Sequence, residues 1–239
     1  MTSRPDPHGW LEDTRASYDT VADSYARLTR HLLDETPEER GVLASFADVV
    51  RARGGGTVAD VGCGPGRITA YLCQLGADAV GIDLSPGMIE VARRDHPGLR
   101  FDVGSMTGLA LADASVAGLV ARYSLIHVPD EEVGAVLGHF RRVLRPGGPL
   151  LLAFHVGDQS QLKARGYGGQ PMKVLVHRRQ PDQMTRWLND AGFTVETRRT
   201  LTSAESRLGG IILARRQVTD PAAQGRSELA VRPRRCRQG

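Results

Sequence analysis

The sequence predicts an α/β fold. It is a doubly wound seven-stranded sheet, mostly parallel with its last strand antiparallel, with helices on both faces and an N-terminal helical lid. Three observations predict it. From residue 57 onward, short apolar runs alternate with segments of helical period, the signature of a parallel sheet covered on both sides. One junction, Asp60-Val61-Gly62-Cys63-Gly64-Pro65-Gly66-Arg67, takes a buried strand into a glycine loop and then a helix. Two β-type runs near the C-terminus, 194–200 and 208–215, lie close enough in sequence to pair antiparallel.

Taken in order, residues 16–33 place Tyr18, Val21, Ala22, Tyr25, Ala26 and Leu28 at helical spacing. A second helix is expected over 37–53, with Pro37 at its first position and Gly54 to Gly56 ending it. Strands are expected at 57–61, 79–83, 99–103, 116–123 and 149–156, with helices at 67–75, 86–95 and 130–144 among them. Residues 157–180 interrupt the alternation with a glycine-rich stretch, in which Tyr167, Met172, Val174, Leu175 and Val176 supply apolar surface for a pocket wall. A helix at 181–191 precedes the two final strands. The domain is thus expected over 15–215, with 15–53 as lid and 157–180 as a substrate-lining insertion. Residues 1–14 are expected to form a tail, and residues 216–239, which lack periodicity, a disordered basic tail.

Composition narrows the function classes. A chain of 239 residues, 41% hydrophobic and 24% charged, suits one soluble domain with a proper core. The longest apolar runs fall far short of the roughly 20 residues that span a bilayer. The N-terminus lacks the apolar core of a secretory signal, so a cytoplasmic location and no membrane partner are expected. Cys63, Cys73 and Cys236 have no paired spacing for zinc or an iron–sulfur cluster, and no metal is expected. The net charge of +4 resides in the tail: from Arg215 onward seven arginines face only Asp220 and Glu228, which leaves the rest of the chain at −1. A nucleic-acid partner would want a basic face on the folded body, so none is expected. Monomer and homodimer are both compatible with the sequence.

The glycine loop carries the chemistry. Glycines there allow positive φ and let backbone approach a ligand, and the following helix start offers unpaired N–H groups. Asp83 ends the next strand, 21 residues beyond Gly62, where a carboxylate accepts hydrogen bonds from ribose hydroxyls. Together these describe a pocket for an adenosine-bearing cofactor. A dinucleotide site would need its third glycine at position 67, where Arg67 stands, and this disfavours a nicotinamide-dependent oxidoreductase. Asp60, on the strand itself, suits a ligand bearing an ammonium group better than a diphosphate.

These residues resemble the class I S-adenosylmethionine-dependent methyltransferases. The family's first motif resembles residues 60–66, and its ribose-binding acid resembles Asp83 in Gly81-Ile82-Asp83-Leu84-Ser85. Ser85-Pro86-Gly87-Met88-Ile89 and Val143-Leu144-Arg145-Pro146-Gly147-Gly148 match further segments, and Tyr18-Asp19-Thr20-Val21-Ala22-Asp23-Ser24-Tyr25-Ala26 resembles the lid helix of small-molecule members. The resemblance covers residues 18–215 and implies S-adenosylmethionine as cofactor and S-adenosylhomocysteine as product. It implies a small-molecule acceptor of the natural-product tailoring kind, such as an aromatic or indole-containing compound like a cyclic dipeptide. It further implies Gly62 and Gly64 against the methionine part, Asp83 on the ribose, Leu84 and Met88 flanking the adenine, and Met106 over its other face. Met88 and Met106 read equally as core filling. Tyr25 and Tyr123 join as cofactor contacts. Many members carry an acid that bonds the adenine amino group; Val103-Gly104-Ser105-Met106 here leaves Ser105 or backbone groups for that work.

Methyl transfer from a sulfonium is an in-line displacement, so alignment is the main requirement, and a base is needed only where the acceptor must lose a proton. Candidates are histidines at the carboxyl ends of strands. His155 is favoured, with Asp158 either orienting it or capping a turn. His127, just ahead of a helix start, reads first as structural, and His177 stands behind both. Tyr18 is expected to shape the methyl channel. Tyr123-Ser124-Leu125-Ile126 lacks the D/N-P-P-Y/F pattern of amino-methylating nucleic-acid enzymes. A non-catalytic cofactor-binding or regulatory protein stays as the alternative, since binding alone would need the same glycine loop.

Overall fold

The computed structural model describes residues 9–202 and 208–218. Its strands are β1 (Thr57–Val61), β2 (Asp78–Asp83), β3 (Arg100–Val103), β4 (Gly118–Arg122), β5 (Pro149–His155), β6 (Gln161–Gly166), β7 (Gln170–Val176), β8 (Phe193–Thr202) and β9 (Leu208–Arg216). Seven of them form one sheet in the order β3-β2-β1-β4-β5-β9-β8, and β6 pairs with β7 in a separate hairpin. The sheet is parallel except where β9 inserts antiparallel between β5 and β8. The chain builds outward from β1 to β3 and then restarts at β4. That reversal opens a crevice at the carboxyl ends of β1 and β4, where such sheets bind ligands.

The period-2 alternation of β4 and β5 feeds two cores. On one face Leu119, Ala121, Leu150, Leu152 and Phe154 pack against Val133, Leu137 and Phe140 of helix α5 (Asp130–Val143) and Met184 and Leu188 of α6 (Pro181–Asp190). On the other, Val58, Val120, Leu151 and Ala153 meet Leu43, Phe46 and Val50 of α2 (Pro37–Ala52) and Ile68 and Leu72 of α3 (Arg67–Gln74). Helix α4 (Pro86–Asp95) starts cleanly because Pro86 sits at its first turn and the Ser85 hydroxyl accepts from the Met88 amide at 3.0 Å. Helix α1 (Gly9–Thr29) lies over the crevice, its Val21, Ala22 and Ala26 wedged between Met88 and Val91 of α4 and Met172 and Val174 of β7.

Four expectations need correction. Residues 9–14 are not a tail: α1 begins at Gly9, because Trp10 and Thr14 continue the buried i, i+4 rows of Tyr18 and Ala22 by two further turns. The same helix stops at Thr29 rather than 33, giving way to a turn. The insertion at 157–180 contains a regular hairpin, since Met172 and Val174 face inward while Pro171, Lys173 and Leu175 face out. Arg216 belongs to β9 rather than to a tail, and residues 219–239 lie outside the described residues. Among the described residues, no helix is long and apolar enough to cross a membrane.

Just after the hairpin, Arg179 is 1% exposed and clamps the 3₁₀ turn Leu125–His127. It donates to the Leu125 carbonyl at 2.9 Å, to the Val128 carbonyl, and to Asp130 Oδ1 at 3.0 Å, and it lies 5.5 Å from the Trp187 ring. Truncation takes the side-chain donor from both carbonyls, of which that of Leu125 keeps the Val128 amide at 3.2 Å. Arg179→Leu is expected to lower unfolding stability by about 3 kcal/mol, measured by urea denaturation; an unchanged midpoint would show that the turn stands without the clamp.

Candidate active site

At the crevice the two loops touch. Gly62 has φ of +77°, and a Cβ there would overlap that of Ser124, whose hydroxyl donates to the Val61 carbonyl at 2.8 Å. Only glycine permits both the backbone angle and the approach. Asp83 is pinned at the mouth: Oδ2 accepts from the Gly64 amide at 2.8 Å and Oδ1 from the Ser85 amide at 2.9 Å. Burial holds its pKa above the ordinary carboxylate value. Its lone pairs beyond these bonds suit a ribose diol, while Arg67 at the start of α3 leaves no close helix end for a pyrophosphate.

A cavity of about 740 Å³, its open mouth included, runs from this loop beneath α1. Tyr18, Tyr25, Gly62, Gly64, Asp83, Leu84, Met88, Ser105, Met106, Tyr123 and His127 all line it. An adenosine-bearing cofactor fits: the glycine loop offers bare backbone, the Asp83 carboxylate has lone pairs to spare, and Leu84, Met88 and Met106 add apolar lining. At its inner wall the Tyr18 hydroxyl lies 2.7 Å from His127 Nε2, and His127 Nδ1 lies 3.0 Å from the Leu175 carbonyl. A carbonyl only accepts, so Nδ1 carries the proton and Nε2 accepts from Tyr18. Burial pushes the His127 pKa down to about 4, which keeps the ring neutral. Burial likewise raises the Tyr18 pKa well above that of a free phenol. Tyr25 packs on Tyr167 of the hairpin with centroids 4.4 Å apart, and Lys163 Nζ sits 3.8 Å over the Tyr167 ring.

Two expected site residues stand elsewhere. Asp60 is 1% exposed beneath the loop, outside the cavity lining, and its Oδ2 accepts from the Thr69 hydroxyl at 2.7 Å. Its role is to hold α3 against β1. His155 also lies off the cavity, behind Tyr123 with ring centroids 5.0 Å apart, and its carbonyl accepts from the Arg179 amide. Asp158 Oδ1 accepts from Gln180 Nε2 at 2.8 Å. His177 bonds Ser160 through Nδ1, away from the cavity. Of the two histidines, His127 lines the cavity, where Tyr18 of the lid reaches it, and His155 does not. Ser105 does line the cavity, yet its hydroxyl is shared with that of Thr107 at 2.7 Å.

Sequence reasoning missed Trp10, Leu11, Thr14, Arg122 and Ser124, which also line the cavity. Arg122 ends β4, so its place at a strand's carboxyl end was a usable signal. It is paired with Glu39, each 12% exposed, and stacks 4.9 Å from the Tyr123 ring. Tyr123 itself has φ of +50°, a conformation disfavoured for a tyrosine and held by the packing around the site.

A family profile described as a methyltransferase domain matches residues 58–148. The demethylmenaquinone methyltransferase of Paenarthrobacter aurescens is 27% identical over 90% of this chain and 87% of its own length. The O-methyltransferase cnsE of Penicillium expansum is 37% identical over 68% of this chain, which spans 58% of that relative. Three further relatives, 31% or 32% identical, are spanned over 53% to 64% of their length. Among solved structures, the 1,6-didemethyltoxoflavin-N1-methyltransferase of Burkholderia thailandensis superposes with a TM-score of 0.65 at 20% identity, covering 91% of this chain and 93% of that one.

Two buried groups beside the cavity give opposite pH dependences. The folded His127 pKa, about 4, is below its ordinary 6.5. Stability from the neutral ring is therefore complete above 6.5 and lost as pH falls towards 4. Burial raises Asp60 from its ordinary 3.8 to about 7. Stability from the protonated acid is complete below 3.8 and lost as pH rises through 7. Urea midpoints measured from pH 4 to pH 8 should thus fall less steeply on the acid side in His127→Gln, and less steeply towards neutrality in Asp60→Asn. Curves parallel to wild type would remove both assignments.

Proposed function

We propose that this chain, a member of the class I S-adenosylmethionine-dependent methyltransferases, methylates an oxygen or nitrogen of a small aromatic acceptor while His127 takes up the acceptor's proton. S-adenosylmethionine, when bound, supplies a methyl group on a positively charged sulfur. Gly62 and Gly64 are assigned to its methionine part, Asp83 to the ribose, and Leu84, Met88 and Met106 to the adenine. The remaining tasks fall to the lid and the turn after β4.

The observation that carries this reading is the Tyr18–His127 pair. His127 Nε2 is a fixed, unprotonated acceptor inside the cavity, and its tautomer is set by the Leu175 carbonyl. Tyr18 keeps its own proton, so it does not serve as the base; it relays, giving its proton to His127 as it takes the acceptor's. The rings of Tyr18, Tyr25, Tyr123 and Tyr167 around this end favour a flat, aromatic acceptor. An indole-bearing cyclic dipeptide or another secondary metabolite meets that description. Relatives named for demethylmenaquinone and for 1,6-didemethyltoxoflavin support a small molecule over a polymer.

Calorimetric titration with S-adenosylhomocysteine should give binding that Asp83→Ala abolishes, whereas NADH should not bind. Methyl transfer from radiolabelled cofactor is then measured against a panel of phenols, hydroxyquinones and indoles. His127→Ala should lower turnover by about a hundredfold while leaving S-adenosylhomocysteine affinity near wild type, and His155→Ala should keep turnover. Undiminished turnover in His127→Ala would end the assignment of His127 as proton acceptor.

A further inference from the structure

At the adenine end of the cavity, Ser105 and Thr14 are already engaged and one side-chain donor is not. Ser105 is shared with Thr107, whose amide also donates to it at 3.2 Å, and the Thr14 hydroxyl donates to the Trp10 carbonyl at 2.7 Å. Trp10 Nε1, by contrast, is buried with no hydrogen-bond partner. Among the described residues, Trp10 alone combines such an unpaired buried side-chain atom with a place in the cavity lining. A buried N–H left unpaired is costly, and indole offers a donor only, never an acceptor.

The register of the lid places this donor. Near the C-terminal end of α1, Tyr25 stands over the glycine loop, with Cε1 3.9 Å from where a Gly64 Cβ would be. At its middle, Asp19 accepts from the Ser85 hydroxyl at 2.5 Å and the Gly87 amide at 2.9 Å, next to Asp83. At its start, Trp10 lines the cavity together with Met106. Trp10 and Tyr25 are separated by roughly 22 Å of helix at 1.5 Å per residue. The lid thus runs parallel to an extended nucleoside ligand, with Trp10 above the base.

We propose that the Trp10 indole N–H donates to an unprotonated ring nitrogen of the cofactor's adenine, so that the lid helix reads the base. The inference rests on the cofactor reading above. Adenine presents N1, N3 and N7 as acceptors, and replacing the correct one by C–H removes the bond without changing shape.

The test is calorimetry on the full chain with S-adenosylhomocysteine and its 1-deaza, 3-deaza and 7-deaza analogues, for wild type and Trp10→Phe. Trp10→Phe should bind S-adenosylhomocysteine about tenfold more weakly, and one deaza analogue should show a similar loss in wild type that vanishes in the variant. Because Trp10 also packs on the core, a second readout avoids the variant. Of the chain's two tryptophans, Trp187→Phe leaves Trp10 alone, and its emission should change on saturation with S-adenosylhomocysteine. Equal affinity of wild type and Trp10→Phe, or an unresponsive Trp10 emission, overturns this inference and leaves the cofactor reading intact. Wild type that fails to bind S-adenosylhomocysteine overturns both.

Discussion

Where Gly62 and Ser124 meet, two loops from adjacent parallel strands come closer than any side chain at position 62 would allow. The contact sits at the point where the sheet reverses its build direction, so the carboxyl ends of β1 and β4 diverge immediately beyond it. Much of the site takes its position from this contact. The glycine loop turns back to give its Gly64 amide to Asp83, and the chain after Ser124 winds into the short turn that presents His127. A wider junction would move Asp83 away from His127.

The lid and the hairpin complete what the sheet begins. Helix α1 contributes Tyr18 and Tyr25, and β7 contributes the Leu175 carbonyl that fixes the His127 tautomer. Arg179 then fastens the His127 turn from below. Two segments distant in sequence therefore converge on one imidazole. The ring's neutrality follows from burial, and its orientation follows from a backbone group rather than from a carboxylate. That arrangement leaves Nε2 unprotonated without a carboxylate hydrogen-bonded to the ring.

Much of the sheet and the glycine loop was legible in the sequence because backbone requirements wrote them there. Gly62, Gly64 and the acid at 83 answer to geometry that few other residues satisfy, and the alternation of β4 and β5 follows from their two buried faces. Which of His127 and His155 lines the cavity was not legible. Both lie near the carboxyl end of a strand, and the difference is made by Tyr18, 109 residues from His127, and by a main-chain carbonyl that has no sequence signature. The hairpin was obscured because its glycines at 166, 168 and 169 broke a short alternating pattern. Asp60 looked like a ligand for an ammonium group, but Thr69, one turn into α3, claims it.

The lid is sequestered from its seat by the order of the chain. Ser17 accepts from the Lys173 amide across 156 residues, and the apolar face of α1 rests partly on Met172 and Val174. A nascent chain emerges with α1 first and must hold that face half-covered, against α4 alone, until the hairpin has been made. β5 waits similarly for β9, its antiparallel neighbour. The ligand chamber is thus among the last parts of the molecule to close during synthesis, and a truncated chain ending before the hairpin would carry the glycine loop without a roof.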